Sequence, residues 1–244
     1  MKLDNFPRIL WINLDRSADR RKNMEELFDK YNLDHIRIKA VDGQNVTEME
    51  NSCIENAKIS RAENACTCSH IMALKYFVEN MDDDKIIIFE DDISFEFLEY
   101  IPYDWSILDK NLPHNYDIIQ LAVTNTRHQH PTILVKVRPN MGYYCSAAYL
   151  VTKKAAQKLV EMYYINETIN LSDKKYATAD SMITSMNSYS ISIFSYQTDE
   201  SEIHENHLSM HRKSKLIQLN AWKLIKNYQD KIDLDQYFAS FAKN

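Results

Sequence analysis

The chain has 244 residues, 45% hydrophobic and 26% charged, and carries a net charge of −6. Such a length and composition suit one large α/β domain with a substantial core, and the acidic balance leaves no broad basic field for nucleic acid. Only two glycines are present, Gly43 and Gly142, which excludes a P-loop and a G-x-G-x-x-G turn.

The N-terminus has no charged-then-apolar signal region, and nowhere do 18 apolar residues run together. A soluble, cytoplasmic protein without a signal peptide or transmembrane segment is expected (host cytoplasm or virion if the source is viral). The abundance of Ile, Asn, Lys and Tyr matches AT-rich coding sequence, as in a large DNA virus or an AT-rich bacterium. Cys53, Cys66, Cys68 and Cys145 lack C-x-x-C spacing and read as free thiols.

Arg8 to Leu14, RILWINL, is an apolar run and reads as a first buried strand. In the stretch that follows, Met24, Leu27, Phe28 and Tyr31 fall at helical spacing, with Ser17 or Asp15 as N-cap. Asp15, Arg16 and Arg20 therefore lie where strand meets helix. Guanidinium groups beside helix N-terminal amides suit a diphosphate; a solvated helix start is the plainer alternative. His35 to Ala40 alternates as a second strand and ends at the turn Val41-Asp42-Gly43. Residues 44–59 read as loop with some helix. Ser60 and Glu63 form an S-x-x-E capping box opening a helix whose small residues let it lie close to a sheet. Ser69 and His70 sit on that helix, and a lone His there is more often structural than functional.

Lys85 to Phe89 leads a central strand straight into Glu90, Asp91 and Asp92. Ligands of open α/β sheets bind beyond strand carboxyl ends, and three adjacent carboxylates there repel one another unless a divalent cation joins them. Hard oxygen donors suit Mn²⁺ or Mg²⁺. The aromatics Phe95, Phe97, Tyr100, Tyr103 and Trp105 follow; they can stack on a sugar or base, or fill the core.

Strands are expected at Asp117 to Leu121, Ile133 to Val137 (an edge), Tyr143 to Val151 and Tyr189 to Tyr196. Helices are expected after Thr152 and over Ala179 to Met186, the latter carrying Asp180, with 166–178 a loop. His128 and His130 lie in a polar loop, and His204, His207 and His211 in a charged one. A zinc site from the last three has no carboxylate or Cys partner fixed by spacing, and one of them as a late ligand to the carboxylate-bound metal is preferred. Leu216 to Tyr228 and Leu234 to Ala242 look amphipathic and would pack on the sheet or on a partner, which leaves a homo-oligomer through these helices open. The whole reads as one domain, 1–244, with 206–244 a helical C-terminal extension.

The acidic strand end lacks the second acidic position of a receiver domain and the D-x-D of a dehalogenase-type phosphatase. Glu90-Asp91-Asp92 does fit the loose D-x-D of an A-type nucleotide-sugar transferase. WINLDRSADRR, KAVDG, ENACTCSH, IIIFEDDI, YDIIQL, and AAYLVTKKAAQKLV followed by TAD occur in order over about residues 8–205. Together they resemble glycosyltransferase family 25, the lipooligosaccharide galactosyltransferases and collagen glycosyltransferases.

The resemblance implies a single A-type α/β domain with a mixed central sheet flanked by helices. It implies an inverting, metal-dependent transfer of a hexose, galactose or glucose, from a UDP-sugar. The acceptor would be a glycan, a glycolipid or hydroxylysine in a collagen-like protein. Position by position, Leu14, Asp15, Arg16, Arg20, Asp42, Ser69, His70, Glu90 and Asp91 would bind the donor. Asp92, with Asp91 and His204, would hold Mn²⁺ or Mg²⁺, and Asp180 would be the base. Gln197 to Ser201 resembles a site-closing segment. One departure is Ala65, where the family usually has Gly. A non-catalytic nucleotide-sugar or glycan-binding protein and a metal-dependent phosphohydrolase are the competing readings.

Overall fold

The computed structural model describes residues 2–125, 131–197 and 208–239. A seven-stranded mixed sheet forms the centre, in the order β2-β1-β4-β8-β6-β11-β7. Its strands are β1 (Ile9–Asn13), β2 (His35–Lys39), β4 (Lys85–Glu90), β6 (Ile118–Gln120), β7 (Val135–Val137), β8 (Ala148–Thr152) and β11 (Ser188–Ser190). β1 is parallel to both β2 and β4, so three strands end side by side at Asn13, Lys39 and Glu90. β8 lies antiparallel between β4 and β6, and β7 is the antiparallel edge. This is the mixed sheet flanked by helices that the sequence led us to expect.

Helices cover both faces because the inner strands are apolar on both. One face packs Trp11, Phe28, Ile87, Phe89, Leu150 and Phe194 into a continuous core under α1 (Ala18–Tyr31). The other packs Leu10, Ile86, Ile88, Tyr149 and Val151 against α3 (Arg61–Asn80) and α5 (Lys153–Tyr163). α3 opens on the expected capping box: the Glu63 amide donates to Ser60 Oγ at 3.2 Å, and Glu63 Oε2 accepts from the Ser60 amide at 2.8 Å. The Thr152 side chain caps α5 by accepting from the Ala155 amide. Ser17 stands at the N-cap of α1, but its side chain makes no capping bond.

Several segments differ from the sequence reading. Residues 44–59 hold α2 (Val46–Ser52) and a short β3 (Cys53–Ile54). β3 pairs with β10 (Thr168–Asn170), inside the stretch read as loop, and β10 pairs with β9 (Tyr164–Ile165). The segment after Asp92 is not irregular throughout: it contains β5 (Ile93–Ser94) and α4 (Trp105–Lys110), capped by Asp104. Its aromatics Phe95, Phe97, Tyr103 and Trp105 are buried core residues, so they are not available to stack on a ligand. The late strand splits into β11 and β12 (Ser195–Tyr196), and β12 pairs with β5.

α6 (Ala179–Thr184) carries Asp180 in its first turn. α7 (Leu208–Asn227) begins earlier than its amphipathic pattern suggested, which places His211 on a helix and not in a loop. α7 is tied to the sheet by Gln218 Nε2 donating to the Val123 carbonyl at 2.7 Å and Trp222 Nε1 donating to the Ser192 carbonyl at 2.6 Å. Trp222, and Phe238 on α8 (Leu234–Ala239), belong to the same core as Trp11. The C-terminal helices thus pack on the sheet. Among the described residues no helix is long and apolar enough to cross a membrane.

Candidate active site

Two cavities open beyond the ends of the parallel strands. The first, of about 250 Å³, lies between the ends of β1, β2 and β4 and the start of α3. The second, of about 480 Å³, lies between β8, α6 and α7. Cys66, Glu90 and Asp92 line both, so the acidic strand end is the partition between them.

The three carboxylates have separate environments. Glu90 Oε1 takes a 2.7 Å hydrogen bond from Ser146 Oγ and lies 3.2 Å from His70 Nε2. His70 Nδ1 is in turn 3.1 Å from the Tyr149 hydroxyl, so the imidazole is held at both nitrogens. Burial raises the Glu90 pKa, but the His70 hydrogen bond and charge, Ser146 and Arg20 outweigh it and hold the carboxyl below its usual range. Asp91 turns toward β1 and α1: Asn13 Nδ2 donates to Oδ2 at 2.6 Å and Arg20 to Oδ1 at 2.8 Å. Both its oxygens are engaged, yet burial still outweighs Arg20 and Asn13 and leaves its pKa raised.

Asp92 is different. Its Oδ1 is buried and finds no hydrogen-bond partner among the described residues. Burial, then repulsion from Glu90 and Asp91, pushes this carboxyl well above its usual range. A native fold rarely leaves such a group orphaned, and the arrangement fits a hard divalent cation such as Mn²⁺ or Mg²⁺.

The other expected residues fall around this centre. Leu14, Arg16, Arg20, Asp42, Ser69 and His70 line the first cavity. Arg16 Nε pairs with Asp42 Oδ2 at 3.0 Å across the mouth, and Asp42 Oδ1 also accepts from the Gln44 amide. Ser69 is buried and its hydroxyl is spent on the protein: it accepts from the Val41 amide at 2.9 Å and donates to the Ala65 carbonyl at 2.7 Å. Ser69 thus fastens the Val41-Asp42-Gly43 turn to α3. Asp15 does not line either cavity. Its carboxylate faces outward to Arg37 at 2.6 Å, Arg21 at 3.4 Å and Lys39 at 3.5 Å. The Arg37 hydrogen bond is the largest cause of its lowered pKa. Asp180 lines the second cavity. Ser201 and His204 lie outside the described residues, as do His128, His130 and His207.

Several residues here were not singled out from sequence. Asn13, buried at the end of β1, donates to Asp91 and to the Ser17 carbonyl and accepts from Arg37 Nε at 2.9 Å and Arg21 Nε at 3.3 Å. Ser146 reaches Glu90 from just before β8, next to Cys145, which sits at φ 99°. Positive φ in a non-glycine residue is strained and collects at functional sites. Thr124, Tyr144 and Tyr196 line the second cavity, together with His211, one of the three late histidines the sequence offered as a metal ligand. His211 packs edge-on to Tyr196, with ring centroids 5.5 Å apart. Asn13 carried a signal in hindsight, as a polar residue ending an apolar strand. Ser146 and Tyr149 carried none, because their partners are far away in the chain.

A sequence-family model described as glycosyltransferase family 25 (LPS biosynthesis protein) matches residues 6–183. The chain belongs to glycosyltransferase family 25. It is therefore a glycosyltransferase by family, and the match spans both cavities' strand-end residues up to Asp180. Solved structures of related shape are distant. A197 from STIV is 11% identical, covering 78% of this chain and 84% of its own, at a TM-score of 0.44. The inositol-1-phosphate CTP transferase from T. maritima is 14% identical, covering 86% and 77%, at 0.38. An active-site mutant of LgtC is 12% identical, covering 86% and 95%, at 0.37.

Proposed function

We propose that this family 25 enzyme moves a hexose from a UDP-sugar to a sugar hydroxyl of a glycan, with inversion and with help from Mn²⁺ or Mg²⁺. The observation that carries the reading is Asp92 Oδ1, buried without a hydrogen-bond partner among the described residues, on the partition between two cavities. A two-substrate transfer needs a donor space and an acceptor space that meet at the reacting bond.

In this reading the first cavity takes the nucleotide. Leu14 and the Val41-Asp42-Gly43 turn flank the nucleoside, and Arg16 and Arg20 at the start of α1 face the diphosphate with the helix N-terminal amides. Asp92 would hold the cation, with Glu90 and Asp91 contributing negative charge nearby. A bound cation supplies neutralisation of the charge that grows on the leaving diphosphate. Asp91, fixed by Asn13 and Arg20, keeps Arg20 aimed at the donor.

The second cavity takes the acceptor. Asp180, at the start of α6, accepts the proton of the acceptor hydroxyl as its oxygen attacks the anomeric carbon. The new bond forms as the bond from that carbon to the diphosphate oxygen breaks, and UDP leaves. Tyr144, half-exposed, offers an aromatic face to a sugar ring.

The test is to mix the full chain with UDP-galactose or UDP-glucose and Mn²⁺ and to measure UDP. Release of UDP with sugar transfer is expected. Asp180→Asn should keep donor binding and lose transfer by about 10²-fold or more. Release of inorganic phosphate or nucleoside monophosphate instead would make the protein a phosphohydrolase. Binding without turnover would make it a nucleotide-sugar-binding module.

A further inference from the structure

Cys66, His70 and Glu90 form a second group of donors beside Asp92. One ligand atom from each, a thiol sulfur, an imidazole nitrogen and a carboxylate oxygen, all lie within 4.8 Å of one another. We infer that these three side chains form a binding site for a thiophilic divalent cation, Zn²⁺ in preference to Mn²⁺ or Mg²⁺.

Four features support it. Cys66 and His70 stand four residues apart on α3, so they share one helix face, and Glu90 meets them from the end of β4. Ligand atoms around a tetrahedral zinc are about 3.3–3.8 Å apart, from bond lengths of about 2.0–2.3 Å, so side-chain rotation of roughly an ångström closes the site. The Tyr149 hydroxyl, 3.1 Å from His70 Nδ1, is the outer partner that orients a ligating imidazole and leaves Nε2 for the ion. Cys66 and Glu90 both line the cavities, which gives the ion a path in and room for water as the fourth ligand.

Donor chemistry sets the preference. A thiolate and an imidazole select zinc, whereas the oxygen of Asp92 suits a hard cation. Two metal preferences would then sit side by side on one partition. The proton balance is simple. Without metal, burial favours the neutral Cys66 thiol, and His70 Nε2 lies 3.2 Å from Glu90 Oε1. Binding releases the thiol proton to solvent, and the imidazole ligates through a deprotonated Nε2 with its remaining proton on Nδ1, donated to the Tyr149 oxygen, any second ring proton also leaving to solvent.

Co²⁺ is the probe, since thiolate ligation gives it a charge-transfer band in the near ultraviolet. The full chain should develop this band with one equivalent of Co²⁺ and lose it on adding Zn²⁺, but not on adding an equal amount of Mn²⁺. Cys66→Ser should show no band, Cys53→Ser should keep it, and Tyr149→Phe should bind about tenfold more weakly. If Cys66→Ser fails to fold, thiol alkylation of the wild type with and without Zn²⁺, mapped by mass spectrometry, should show Cys66 protected. A wild type without the band, a band unchanged in Cys66→Ser, or Cys66 alkylated equally with and without Zn²⁺ overturns the site.

Discussion

Asn13 is the residue whose removal best tests how this site is held together. It is buried and neutral, yet it joins a carboxylate to guanidinium groups. Asn13→Ala removes a 2.6 Å bond to Asp91 and a 2.9 Å bond from Arg37. A hydrogen bond to a charged group contributes about 1.5–3 kcal/mol. The Asp91 side chain is only 10% exposed, which places its bond near the middle of that range, about 2 kcal/mol. Arg37 is 23% exposed and keeps Asp15, so its share is nearer 1 kcal/mol once screening by solvent is counted. The sum is about 3 kcal/mol, or a fall in Tm of roughly 6–12 °C for a chain of this size. Thermal unfolding followed by circular dichroism and by tryptophan fluorescence would measure it, with coincident transitions as the check on two-state behaviour. Asn13→Asp should be at least as destabilised at neutral pH, because a second carboxylate would then face Asp91. A loss below about 1 kcal/mol in both variants would show that water replaces these bonds and that Asn13 is no hub.

Other substitutions probe separate parts of the site. Ser69→Ala should cost about 2 kcal/mol, by leaving the Val41 amide without its acceptor, and should weaken donor binding in titrations more than it slows transfer. A Cβ on Gly43 would lie 3.2 Å from the Ala65 Cβ, so Gly43→Ala should lower Tm and donor affinity, and adding Ala65→Gly should restore them; a double-mutant cycle measures this coupling. Asp92→Asn should abolish metal-dependent turnover. Because burial and repulsion from Glu90 and Asp91 raise the folded-state pKa of Asp92, the cost to stability grows as pH rises from the ordinary carboxylate range, is complete above the raised pKa, and vanishes on acidification. In chelator, Asp92→Asn should therefore raise Tm at alkaline pH, and the gap to wild type should close on acidification. Cys145→Val should destabilise by about 2 kcal/mol, since a β-branched residue is poorly accommodated at φ 99°; urea midpoints would show it.

Much of this was legible where the signal was local. Apolar runs located β1, β4 and β6, and the capping box located α3 within a residue. The ordered fragments pointed to the family before any contact was known. What the sequence hid was long-range. The aromatics after Asp92 could stack or fill the core, and nothing local separates the two; packing against Phe89 and Phe194 decides it. Asp15 sits in the right turn but points outward, because Arg37 and Lys39 on β2 pull it there. Ser69 lines the first cavity, but nothing local in the sequence shows that its hydroxyl also fastens the Val41-Asp42-Gly43 turn to α3. The charged neighbours of His211 mask the helical period at the start of α7.

The reversed strand β8 has a consequence for folding. Its register on β4 pairs Ile88 with Tyr149 and Phe89 with Ala148, and the Glu90 amide donates to the Ala147 carbonyl. A slip of one residue would turn Tyr149 to the opposite face, away from His70, and carry Ser146 about 3.3 Å away from Glu90. Such a chain would keep its helices, its strands and most of its buried area. It would lose the outer support of both His70 and Glu90. The contacts of Tyr149 with His70 and of Ser146 with Glu90 are thus a readout of strand register, sensitive to a folding error that circular dichroism would pass over.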